Sequence, residues 1–186
     1  MSITKIEIDR NINTLRVNSK EFAKISNAKL ISLFEESIKN IKGIAYYWAT
    51  VGAKNKGVED TIAEGEEWLG GPFASVFGMQ YYIETLKDVG KPLSTDSYNE
   101  SLNTYKVFPN NILEKIFFPF ISAEVKFNKN ISFNEIEKYR GYAMRYKHDP
   151  SITLVLGAGN VSCIPLLDAI YHLVAKRSVV YINLIQ

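Results

Sequence analysis

The stretch Ile152–Asn183 constrains this chain more than any other. Ile152-Thr153-Leu154-Val155-Leu156 is a short apolar run of the kind that forms a strand buried on both faces. It leads straight into Gly157-Ala158-Gly159-Asn160, a tight turn whose missing side chains let a ligand approach the backbone. A helix is expected next: Ser162 suits its cap, Pro165 its first turn, and Asp168 the positive end of its dipole. Leu166, Leu167, Ile170, Leu173 and Val174 supply its buried side, and Lys176 and Arg177 close it where cations are favoured. Ser178–Ile182 then reads as a second strand. Strand, glycine turn, capped helix and strand make a β-α-β unit, expected to be parallel and right-handed. Taken alone, Gly157 and Gly159 point only to an anion or nucleotide at the helix start. Ser162 stands where the usual fingerprint has a third glycine, and no acid is correctly placed after the second strand.

Upstream the pattern is mostly helical. Ile3, Ile6 and Ile8 alternate with polar residues, so Met1–Lys24 suits an edge strand or a loose arm. Leu30, Leu33, Phe34, Ile38 and Ile41 recur at helical spacing behind a Ser26 or Asn27 cap, and Gly43 is placed to end or bend that helix. Tyr46, Tyr47 and Trp48 follow on a further helix, where core packing is their plainest role. Thr61–Leu69 reads as a short acidic helix closed by Gly70-Gly71-Pro72. Pro72 suits the first position of another helix, Phe73–Asp88, with Phe73, Val76, Met79, Ile83 and Leu86 on its apolar face. Beyond the polar loop Ser94–Asn103, Thr104–Phe108 and Ile121–Phe127 favour strands. Asn111–Phe118 fits helix or strand, helix being preferred, and Phe133–Tyr146 reads as a helix. The expected organisation is a mainly helical region over 1–103, then mixed strands and the β-α-β unit over 104–186, both parts of one domain.

Composition narrows the class. With 46% hydrophobic and 23% charged residues the chain has the make-up of a folded globular protein. Its 22 basic and 20 acidic residues balance, without a basic stripe, so nucleic acid is not an expected partner. Glu7 and Asp9 interrupt any secretory signal, and no apolar run is long enough to span a bilayer. One cysteine, Cys163, excludes an internal disulfide and a multi-cysteine zinc site. A cytoplasmic location is the plain expectation.

The words from Leu154 to Pro165, Leu-Val-Leu-Gly-Ala-Gly-Asn-Val-Ser-Cys-Ile-Pro, followed by a helix and Val179-Val180, resemble the aldehyde dehydrogenase superfamily. The likeness is closest to its acyl-CoA reductase-like branch. Glu67-Trp68-Leu69-Gly70-Gly71-Pro72, Val107-Phe108-Pro109 and Ala123-Glu124-Val125 look like the same branch. The resemblance implies an α/β fold: a helical N-terminal region followed by the first β-α-β unit of an incomplete Rossmann-like cofactor domain. It implies that Asn160 donates its side-chain amide to the oxyanion formed when a thiolate attacks a carbonyl, a neutral donor stabilising developing charge beside a helix start. It implies that Leu156, Gly157, Ala158 and Gly159 border a nicotinamide cofactor, NAD or NADP. An aldehyde or acyl-thioester would be the substrate in an intact member.

Three departures limit what carries over. Ile182 stands where the family has a lysine that contacts the cofactor's adenosine ribose. The chain stops at Gln186, well short of the family's length, and the nucleophilic cysteine and general-base glutamate belong to the part beyond. The expectation is therefore a truncated, inactive dehydrogenase fragment with doubtful cofactor binding. Cys163 at a helix start is better read as a small buried residue than as a substitute nucleophile. His148 and His172 are too few and too ill-spaced for a metal site, and Glu64, Glu66 and Glu67 read as a solvated helix face. The alternative is a non-catalytic interaction or oligomerisation module, because two parallel strands alone leave edges and a face for a second copy or a partner chain to cover.

Overall fold

The computed structural model describes residues 4–145, 148–157 and 160–184. It is a helix-rich mixed α/β arrangement that divides into two compact units, one of residues 1–89 and 143–186, the other of residues 90–142.

The first unit is built on long helices. α1 (Lys5–Phe22) begins at a capping box: Thr4 Oγ1 accepts from the Glu7 amide, and the Glu7 carboxylate accepts from the Thr4 amide. The expected strand or arm is thus corrected to a helix, because Thr4-x-x-Glu7 satisfies amides that an edge strand would leave open. Ile3 lies outside the described residues. α2 (Asn27–Lys56) is capped by Ser26 Oγ and ends at Gly57 in the left-handed region. It runs unbroken through Gly43, so the expected break there is also corrected; 30 residues of helix absorb a glycine costing about 1 kcal/mol. Tyr46 and Tyr47 lie on the outer surface of α2, 72% and 70% exposed, and are not core residues.

α3 (Glu64–Trp68) passes through a wide π turn, Leu69–Phe73, into α4 (Ala74–Asp88). Pro72 sits inside that turn rather than opening α4, and Phe73 is half exposed. The core is the seam of α2, α4 and α8 (Ile164–Ala175): Leu30, Phe34, Ile38 and Ile41 meet Met79, Ile83 and Leu86, then Ile170 and Val174. Gly78 on α4 lets α8 come close, since a Cβ there would lie 2.5 Å from Leu167 Cδ2.

β4 (Ile152–Gly157) and β5 (Val179–Leu184) pair in parallel, Ile152 opposite Val179 and Leu156 opposite Asn183, with α8 joining them. The β-α-β connection is therefore present. β4 is not buried on both faces, however: Leu154 and Leu156 are 58% and 60% exposed, and among the described residues α1 and α8 are the main elements packed against the strand pair.

In the second unit, β1 (Tyr98–Asn99), β2 (Thr104–Phe108) and β3 (Ala123–Lys126) form an antiparallel sheet with an irregularity between Lys106 and Phe108. Buried Asn103, at φ 50°, ties its rim together: its amide donates to the carbonyls of Asn128 and Ile131 and its oxygen accepts from Tyr98. α5 (Ile112–Phe117) and α6 (Phe133–Tyr139) flank it. The single helix expected over Phe133–Tyr146 instead breaks at Arg140-Gly141, with Gly141 at φ 62°, and resumes as α7 (Tyr142–Arg145); Tyr146 lies outside the described residues. No helix among the described residues is long and apolar enough to cross a membrane.

Candidate functional site

Asn160–Cys163, ahead of α8, is held by two separate pieces of chain, α2 and the π turn. Lys56, in the last turn of α2, donates from Nζ to the Asn160 carbonyl at 2.6 Å and to Glu67 Oε1 at 2.5 Å. Trp48 Nε1 donates to Ser162 Oγ at 2.8 Å, and the Cys163 amide donates to the Gly70 carbonyl at 3.0 Å. The helix end, the indole and the π turn together hold Asn160–Cys163 in one place.

Two glycines make that approach possible. A Cβ on Gly52 would fall 2.5 Å from Glu67 Oε2, so the carboxylate in its present place lies in space that a side chain there would take. A Cβ on Gly71 would crowd Ser162 Oγ at 3.1 Å and Trp48 Nε1 at 3.3 Å. Glu67 is thereby buried, at 5% exposure, and its charge is met by Lys56. It is not part of the solvated face expected for Glu64, Glu66 and Glu67. No local signal marked it: the glycine that makes room, Gly52, and the counter-charge, Lys56, both lie upstream on α2.

Of the expected site residues, Leu156 and Gly157 close β4 opposite Asn183 and Leu184. Gly157 is buried and Leu156 exposed. Ala158 and Gly159 lie outside the described residues. Asn160 is exposed, and the clamp from Lys56 takes its backbone carbonyl, leaving the side-chain amide uncommitted by that bond. Ile182, 41% exposed, faces Val155 across the strand pair.

The start of α8 differs from expectation. Cys163, not Ser162, occupies the cap position, and it makes no side-chain cap bond. Ser162 Oγ is taken by Trp48, and Pro165 stands in the first turn as expected. Burial pushes the Cys163 thiol above its ordinary pKa, partly opposed by its own backbone bond. A thiolate is therefore disfavoured there, as a packing role requires. Arg177 does not close α8 as a solvated cation; it is buried, at 4% exposure and φ 49°. Among the described residues, no group of three or more His, Cys, Asp or Glu is placed to hold a metal ion.

No family model matches the chain, and comparisons with curated proteins and with solved structures likewise give no match.

Proposed function

We propose that this chain is the N-terminal portion of an NAD(P)-linked oxidoreductase of the aldehyde dehydrogenase type, within its acyl-CoA reductase-like branch. In this reading the β4-α8-β5 unit opens a Rossmann-like cofactor domain, and Asn160 is the oxyanion donor. The observation that carries it is the clamp on Asn160: Lys56 fixes the backbone carbonyl at 2.6 Å while the residue itself stays exposed beside the start of α8. A neutral amide on a residue whose backbone is anchored and whose surface is open, ahead of a helix start, suits stabilising a developing oxyanion.

Leu156 and Gly157 would border the nicotinamide, which in an intact enzyme supplies the hydride acceptor or donor. The fit is partial. The strand end and glycine turn suit a cofactor edge, but Ile182 offers an adenosine ribose neither a hydrogen bond nor a charge. Binding by these residues alone is accordingly weak.

Chemistry at the carbonyl needs an activated thiol, and Cys163 is buried with a raised pKa. The reading therefore gives no turnover by these residues alone. With NAD(P)(H) and a panel of aldehydes and acyl-thioesters, nicotinamide absorbance should stay constant. Turnover abolished by Cys163→Ala would refute this assignment.

One observation favours a second reading, a non-catalytic module that docks another chain. Leu154 and Leu156 are exposed on one face of a two-stranded parallel pair and Ile182 on the other, an arrangement that ordinarily has more sheet or a partner beside it. Under this reading, removing the apolar side chains disperses an assembly; under the first, it leaves size unchanged and alters nicotinamide binding.

A further inference from the structure

A second site lies at the other end of the strand pair from Gly157–Asn160. Pro150 precedes β4 and Arg177 precedes β5, and six-residue strands span about 20 Å. A cavity of about 560 Å³ opens there, lined by Lys20, Lys24, Asn27, Arg145, His148 and Arg177 among others. No carboxylate is among the described residues that line it. Lys24 pairs with Glu21 at 3.3 Å, both side chains being well exposed.

Arg177 is the unusual member. It is 96% buried, Nη2 donates to Asn27 Oδ1, and Nη1 is buried with no partner among the described residues. An arginine stays protonated in proteins, so burial without a counter-anion is costly and calls for compensation. Its backbone is left-handed at φ 49°, just past the end of α8, where glycine is the ordinary occupant. Glycine at this position would be neither strained nor under-satisfied, so the guanidinium is the feature that sets Arg177 apart. Its tether, Asn27, is the first residue of the 30-residue helix α2, whose N-terminus adds positive potential and unpaired amides.

We propose that this cavity binds a phosphoryl group, as inorganic phosphate or a phosphate monoester, with Arg177 as its buried donor and Lys20, Lys24 and Arg145 as exposed cations around it. The charge balance favours phosphoryl over carboxylate. A phosphate carrying about −1.5 to −2 and three outer oxygens matches a guanidinium fork, a helix start and several cations, whereas a carboxylate offers one charge and two oxygens. The site shares no residue with Leu156–Asn160, so it stands apart from the oxidoreductase reading.

The test is thermal unfolding of the full chain against inorganic phosphate, with ionic strength held constant by chloride. The expected result is a saturable rise in Tm specific to phosphate. Arg177→Gly, which relieves the backbone strain, should fold and weaken that response at least about tenfold. Arg145→Gln, an exposed change that does not threaten folding, should weaken it about two- to fivefold. An equal response to phosphate and chloride overturns the proposal, as does a phosphate response unchanged by Arg145→Gln. Vesicles of phosphatidylcholine with and without phosphatidic acid distinguish the sources. Phosphate-competed sedimentation with phosphatidic acid alone supports a lipid-borne phosphoryl group; a phosphate response without sedimentation supports a soluble one.

Discussion

Lys56 meets both the Glu67 carboxylate and the Asn160 carbonyl with one ammonium, and those two bonds tie the buried acid to the exposed turn. Lys56→Met leaves Glu67 buried and unpaired. It should lower stability by about 1–3 kcal/mol, read as a fall in Tm, and should broaden the Asn160 amide resonance as the turn loosens. Gly52→Ala attacks the same contact from the other side: a methyl 2.5 Å from Glu67 Oε2 should cost about 1–3 kcal/mol, offset by about 1 kcal/mol of helix propensity within α2. A denaturant midpoint raised by that full propensity gain would contradict the packing described. Cys163 should alkylate with iodoacetamide far more slowly in the native chain than in urea, because burial raises its thiol pKa and shields it. None of these three environments was legible locally. Glu67 gains its counter-charge 11 positions away, Trp48 its acceptor 114 away, and Arg177 its tether 150 away.

At the scale of elements, the sequence was readable where period and punctuation agreed. Ile152–Leu156, Pro165 and Val179–Val180 marked strand, helix and parallel strand, with the helix cap displaced by one residue from Ser162 to Cys163. It misled where a two-residue period outweighed a cap, as at Ile3, Ile6 and Ile8, where Thr4-x-x-Glu7 was the stronger signal. Gly43 misled differently: it lies inside a 30-residue helix whose other residues carry it past one glycine. The capping boxes carry a pH dependence. Glu7 and Glu135 have lowered pKa values, first from backbone hydrogen bonds to Thr4 and Ser132 and then from their side-chain hydroxyls. A carboxylate with a folded pKa below its unfolded one stabilises above the unfolded value, and that contribution disappears as pH falls through the folded value. Amide exchange in the first turns of α1 and α6 should therefore quicken as pH drops below 4.5, after correction for intrinsic exchange. Glu135→Gln should remove the pH step at α6 alone.

For the whole molecule, the division into a discontinuous helical unit and a small antiparallel one was beyond periodicity, because residues 143–186 return to pack with 1–89. That return places α8 in the core with α2 and α4 and brings the Asn160 carbonyl to Lys56 at the end of α2. It also leaves Leu154, Leu156 and Ile182 exposed on the strand pair. Covering a leucine fully is worth about 1.5–3 kcal/mol, so these side chains favour further sheet or a second chain. Light scattering after size exclusion should show concentration-dependent association that Leu154→Lys with Leu156→Lys reduces. A strictly monomeric chain with a cooperative melt would count against a need for cover.

The central proposal is that the end of β4 with Asn160 would border a nicotinamide, Ile182 standing where a ribose contact is expected. Its most direct test is an NMR titration with NAD⁺ of the native chain and of Ile182→Lys, both carrying Arg177→Gly to silence the phosphoryl site. The account predicts weak, saturable shifts at the Leu156, Gly157 and Asn160 amides, with affinity raised about three- to tenfold by the lysine. Shifts confined to other residues, or an affinity indifferent to Ile182→Lys, would contradict it.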